Sequence, residues 1–220
     1  MSDTSRLTDY ASFRALWQRN LQSAAEDNSA DIHAKLIQAY DEPGRFYHTL
    51  HHIQCCLGLF EDAKHVAQHA DALALAIWFH DAIYEPGAND NEQRSADWFI
   101  EQTDGVFEQS LRDRVYAHIM ATLHAGDVFE NEDTRLMVDI DLASFGMPWP
   151  IFLRDSENVR KELPYLSDAE FYPKQCAFSR SLLDKERFFQ SDYFYQHYES
   201  QARENITNYH QHVQKKLAQG

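Results

Sequence analysis

Apolar side chains return every three or four residues along most of the chain, the spacing that gathers them on one face of an α-helix. Phe13, Trp17 and Leu21 form one such stripe, Ile32, Leu36 and Tyr40 a second, and Leu73, Ile77 and Tyr84 a third. The longest runs through Tyr198, Ala202, Ile206, Tyr209, Val213 and Leu217 and predicts an amphipathic helix closing the chain. Residues that stop helices or start turns interrupt the pattern at Glu42-Pro43-Gly44, Glu85-Pro86-Gly87, Gly126-Asp127 and from Gly146 to Pro150. None of these breaks is long enough for an interdomain linker, and no internal repeat or low-complexity segment is present. The expectation is an all-α chain of about eight to ten helices around one core. A helical cap over residues 150–220 then lies on the part that precedes it.

Composition agrees with helices. Seven Gly and six Pro in 220 residues are few for an all-β chain, and 44% apolar residues are enough for a sizeable core. The formal charge of −15 disfavours a nucleic-acid duplex as partner, because non-specific affinity for one comes from Lys and Arg displacing counterions. It leaves a small phosphorylated substrate open, since a bound divalent cation reverses the local potential. The three cysteines, Cys55, Cys56 and Cys176, suit neither a disulfide framework nor a four-thiolate zinc site. With no signal-like start and no apolar run long enough to span a bilayer, a cytoplasmic location is expected.

Chemistry concentrates in the histidines and aspartates. His48 and His52 stand four apart, which on a helix puts them on one face. His80 falls on the Leu73 and Ile77 stripe and is followed by Asp81; His118 and His124 come next, then Asp139 and Asp141. Imidazole and carboxylate ligands suit a borderline or hard divalent cation, one of Mn, Fe, Co, Ni, Mg or Zn. A histidine and an aspartate aimed into an otherwise apolar core are costly unless paired or metal-bound. A His-x-x-x-His pair, a His-Asp doublet about thirty residues later and a distal Asp therefore point to a metal centre.

These segments resemble the HD superfamily of metal-dependent phosphohydrolases, whose signature is a first His, a His-Asp doublet and a distal Asp on helices. The resemblance spans residues 40–146 and implies an HD-domain helical bundle with a C-terminal helical extension. It is carried by Tyr47 to Ile53, Trp78 to Asp81, Asn91 to Ala96 and Asp139 to Ala143, which look similar to a bacterial branch of predicted HD hydrolases. Cyclic-nucleotide phosphodiesterases are more remotely similar at the same points. By that resemblance His48 is a proton donor, His52, His80, Asp81 and Asp141 are the metal ligands, and Asp141 is preferred to Asp139. Those enzymes carry a further histidine where this chain has Tyr84, so one tightly held metal is expected.

The implied reaction is hydrolysis of a phosphomonoester or phosphodiester, a nucleotide or related metabolite, by metal-activated water. Asp81 then orients the water as well as ligating, and His48 protonates the leaving oxygen. Glu92 holds His48 in one tautomer or receives a proton; alternatively Asp90 or Asn91 caps the next helix and Glu92 favours its positive end. Arg45 is the candidate for a phosphate contact. His124 is placed near the metal and His118 in a buried structural role, while His65, His69, His210 and His212 are read as surface residues. Arg160, Arg180, Arg187 and Arg203 are read as partners of surface carboxylates. Phe188, Phe189 and the Tyr193-Phe194-Tyr195 run fit a packed corner or a dimer patch. Two other functions stay open: a non-catalytic module stabilised by its metal, and an oxygenase-like HD protein with a di-iron centre.

Overall fold

The computed structural model describes residues 4–124, 129 and 131–218. The expected break at Gly126-Asp127 lies outside the described residues. The chain is all-α: ten α-helices and three short 3-10 helices, with no strand among the described residues beyond an isolated pairing of Leu21 with Phe107. Among the described residues no single helix is long and apolar enough to cross a membrane.

The hub is α4, Ala70–Phe79, whose residues from Ala72 to Phe79 are all buried. A helix apolar on every side has no solvent face, so its neighbours must enclose it. They are α1 (Tyr10–Gln18), α3 (Leu50–Ala63), α5 (Asn91–Gln102), α6 (Gln109–Ala121) and α7 (Glu132–Asp141). Phe13 and Trp17 on α1 pack against Trp78 and Phe79 of α4, with ring centroids 5.0 and 6.4 Å apart. α2 (Ser29–Tyr40) lies against α1, and its Tyr40 hydroxyl donates to the Trp78 carbonyl at 2.9 Å.

Two stripes end sooner than their spacing predicts. Leu21 follows the end of α1 and Tyr84 follows that of α4, because each helix stops where a polar side chain or turn takes over. Gly44 and Gly87 adopt φ of +99° and +85°, backbone that a side chain disfavours, which is why the Pro-Gly pairs mark true breaks. A Cβ on Gly87 would also stand 2.1 Å from the Tyr165 hydroxyl.

After the short helix Leu142–Gly146 come α8 (Trp149–Lys161), α9 (Asp168–Leu183) and α10 (Asp192–Leu217). One continuous set of buried side chains reaches from Phe13 through Leu36, Leu73 and Ile140 to Phe189 and Val213, so these last helices share the core. Phe188, Phe189 and Phe194 are buried in it, the packed-corner alternative. Asn205 of α10 donates to the carbonyls of Phe145 and Met147, both at 2.7 Å, and Gly146 lets the Tyr198 backbone come close.

Buried His118 on α6 pairs its Nδ1 with the Thr134 hydroxyl at 3.2 Å, and its Nε2 has no partner among the described residues. Burial lowers its pKa from 6.5 to about 4. The unfolded chain takes up this proton at about 6.5 and the folded chain resists it to about 4. The contribution of His118 to stability is thus intact above pH 6.5 and is lost as pH falls through that interval. Denaturant melts at pH 7 and 4.5 should show a loss of up to about 3 kcal/mol traceable to this residue. His118→Gln should flatten that part of the slope, and an unchanged slope would contradict the assignment.

Candidate metal centre

Three helix ends meet beside α4. His52 sits in the first turn of α3, His80 caps the C-terminus of α4 with Asp81 next in the chain, and Asp141 is the last residue of α7. One ligand atom from each lies within 4.8 Å of the others. The Nε2 atoms of His52 and His80 are 3.2 Å apart. His80 Nε2 stands 3.1 Å from Asp81 Oδ2 and 3.4 Å from Asp141 Oδ1, and His52 Nε2 stands 3.5 and 3.3 Å from the same two atoms.

These spacings fit a cation. Ligand atoms about 2.0–2.2 Å from a common ion stand roughly 2.8–3.6 Å from their neighbours. The protonation pattern requires positive charge as well. His80 directs Nδ1 at the Ile77 carbonyl 2.9 Å away, so that nitrogen carries the hydrogen and Nε2 presents a lone pair to two carboxylates and a second imidazole. Lone pairs facing one another in a buried site repel unless a proton or metal lies between them. Burial alone would lower the pKa of His80, yet the Asp81 and Asp141 charges raise it well above the usual histidine range. The two carboxylates are drawn below theirs despite burial, Asp81 by the His80 charge and Asp141 by its hydrogen bonds to His124 and His52. The group His52, His80, Asp81 and Asp141 can therefore hold a metal ion.

Asp139 is excluded by helix geometry. Two residues along a helix is a turn of about 200°, so Asp139 points away from Asp141 and binds the Gln190 and Ser191 backbone N–H groups at 2.8 and 2.7 Å. Burial raises its pKa to about 7 even so.

Around the cluster the sequence reading needs three corrections. His48 is not on the helix of His52: α3 begins at Leu50, and His48 lies in the loop before it. Its place is set by Glu162, at the end of α8, whose Oε2 meets His48 Nδ1 at 2.6 Å while Oε1 accepts the backbone N–H groups of Phe46, Tyr47 and His48. Glu162 thus takes the role expected of Glu92 toward His48. Burial opposes a charge on either group, but Asp81 and Glu162 raise the pKa of His48, and His48 brings that of Glu162 down to about 2.

Glu92 is half-buried in the first turn of α5 and makes no hydrogen bond to His48. Its pKa is raised by burial and then by the Asp81 and Asp141 charges, which places its carboxylate within electrostatic reach of the cluster. Neither neighbour caps α5 with its side chain, since Asn91 instead closes the loop onto Glu85 and Asp90 makes no cap bond.

Arg45 is the third correction. Its guanidinium is buried and donates to Glu42 and to the carbonyls of His48, Asp81 and Ala82. These bonds occupy all five N–H groups of the guanidinium, leaving none for a phosphate. Arg45 clamps the His48 loop to the Asp81 turn.

Tyr84 fills the place where the phosphodiesterase pattern has a histidine. Its ring stacks on His48 at 4.1 Å, and its hydroxyl donates to Glu162 Oε2 at 2.9 Å. His124, expected near the site, meets Asp141 Oδ2 at 2.8 Å with φ at +50°, and its buried Nδ1 has no partner among the described residues. His65 and His69 are exposed, His210 is half-buried against Ser179, and Arg160, Arg187 and Arg203 pair with Asp168, Asp192 and Glu199. Glu162 went unnoticed in the sequence. Its one signal was an acid in the last turn of a helix, where the dipole disfavours it.

Two cavities flank the cluster and share Tyr47, Asp141, Ser144 and Asp155. One, of about 260 Å³, opens on the His52 side beneath Phe46, Cys55 and Arg154. The other, of about 180 Å³, lies between the cluster and the cap and is lined by His48, His124 and Phe178. Comparison with protein-family models, with curated proteins and with solved structures gave no match.

Cobalt(II) titration monitored by its visible spectrum should give about one equivalent for the native chain. His80→Ala and Asp141→Ala should each lose the spectrum. Asp139→Asn should keep it while lowering stability by about 1–3 kcal/mol, the cost of weakening buried hydrogen bonds. Native-like binding by His80→Ala would contradict the ligand set.

Proposed function

We propose that this chain is a metal-dependent phosphohydrolase of the HD type, acting on a phosphomonoester or phosphodiester of a nucleotide or related metabolite. The observation that carries the reading is the pairing of a four-residue group able to hold a metal with a carboxylate-held imidazole, His48 on Glu162, at the wall of a cavity that Asp141 of that group also lines. A structural metal site has no use for a poised acid beside it. His52, His80, Asp81 and Asp141 hold the ion, which when bound supplies Lewis-acid activation of water and of a phosphoryl oxygen.

The remaining work falls to the chain's own groups. Hydrolysis forms a bond from the water oxygen to phosphorus and breaks the ester P–O bond, so the leaving oxygen needs a proton. With Nδ1 held by Glu162, His48 offers Nε2, and against the lowering effect of burial the neighbouring Asp81 and Glu162 charges raise its pKa and favour the protonated ring. Tyr84 stacked on the ring and Glu162 behind it fix the direction of that proton. Glu92, its pKa raised by burial, is the chain's own acceptor for the proton that water gives up. Arg45 keeps the loop bearing His48 in register with Asp81.

Manganese-loaded protein should hydrolyse bis(4-nitrophenyl) phosphate and at least one alkyl phosphate ester, and Asp81→Ala should abolish both activities. His48→Ala should keep its metal and lose roughly two to four powers of ten on the alkyl ester, with a much smaller loss on the nitrophenyl ester, whose leaving group needs no proton. Glu162→Gln should cost about 10- to 100-fold on the alkyl ester alone. Equal losses on both esters would reject His48 as the acid, and full activity in Asp81→Ala would reject the site.

A further inference from the structure

A proton from His48 travels to the oxygen that departs, so the departing group must lie on the side of the cluster that His48 faces. That side is the cavity of about 180 Å³ beneath the cap. Its walls are aromatic: Phe145 stands 5.6 Å from Phe152 and 6.5 Å from Phe178, ring centre to ring centre. Phe145 and Phe152 are buried, whereas Phe178 at the rim is 38% exposed, a large apolar ring that the protein itself does not cover.

The polar lining of this recess mixes His48, His124, Ser144 and Gln175, and among the described residues no Lys or Arg lines it. Asp155 does, with its side chain only 15% exposed. Oδ1 of Asp155 is held by Arg154, which reaches it from outside the recess, and Oδ2 makes no hydrogen bond among the described residues. A carboxylate oxygen without a protein donor is free to accept one from a bound ligand.

We propose that this recess binds the leaving alcohol of the substrate through an uncharged heteroaromatic ring that the alcohol carries, a ring bearing an amino group that donates to Asp155. The proposal rests on the phosphohydrolase reading for the word "leaving", but the recess itself makes a binding claim that needs no turnover. Ring stacking on Phe178 supplies affinity, and the Asp155 hydrogen bond supplies choice between rings.

The test is ligand-observed NMR on the metal-reconstituted full chain with adenosine, cytidine and guanosine, and with purine riboside, which lacks the amino group. At least one amino-bearing nucleoside should bind roughly 10-fold or more tightly than purine riboside. Asp155→Ala should erase that difference, and Phe178→Ala, at an exposed position that folding tolerates, should weaken all binding by about 3- to 10-fold. No binding by any amino-bearing probe, equal binding of purine riboside, or discrimination intact in Asp155→Ala would overturn the proposal. Hydrolysis of bis(4-nitrophenyl) phosphate, followed in parallel, separates the two claims. Nucleoside binding without it refutes the phosphohydrolase reading alone; hydrolysis without nucleoside binding refutes the recess alone.

Discussion

At the end of the most apolar helix in the molecule, two imidazoles and two carboxylates converge with little access to water. Each would be costly there by itself, and the two ring nitrogens, 3.2 Å apart, oppose each other unless positive charge intervenes. A cation at this point would therefore reconcile the ends of α3, α4 and α7. The surrounding architecture keeps these ends in place. α4 is enclosed on every side, and Arg45 ties the His48 loop to the carbonyls of Asp81 and Ala82.

The same economy recurs away from the site. Buried carboxylates grip pairs or triplets of loop N–H groups: Asp133 those of Gln68 and His69, Asp139 those of Gln190 and Ser191, Glu199 those of Phe188 and Phe189, and Glu162 those of Phe46 to His48. Loop backbone cannot be buried with its donors unpaired, so these acids allow irregular segments to pack inside the fold. Two of them bear on chemistry. Asp139 joins α7, which ends in the candidate ligand Asp141, to the start of α10, and Glu162 joins α8 of the cap to His48, the proposed acid. The cap is thereby part of the site.

Helical periodicity made the class of fold and the closing helix legible, because burial of a repeating stripe is a local property of the sequence. Part of the group that can hold a metal was legible too: the His80-Asp81 doublet at the end of an apolar run is expensive enough to stand out, whereas His52 was set apart from His48 by a resemblance. The choice of Asp141 over Asp139 came from a resemblance and agrees with the opposite faces that the two residues occupy on α7. Partners far apart in sequence were not legible. Glu162 lies more than a hundred residues from His48 and has no spacing that links it to the site, so its role was assigned to the nearer Glu92. Arg45 carried the right charge for phosphate, but only tertiary contacts reveal that backbone carbonyls and Glu42 already use its donors.

The most direct test is X-ray absorption spectroscopy on protein reconstituted with zinc or manganese. The account predicts a first shell made only of nitrogen and oxygen, with imidazole scattering from two histidines. A sulfur scatterer would contradict it by placing the ion toward Cys56, whose thiol lies 3.6 Å from His52 Nε2, and protein that takes up no metal would contradict it outright.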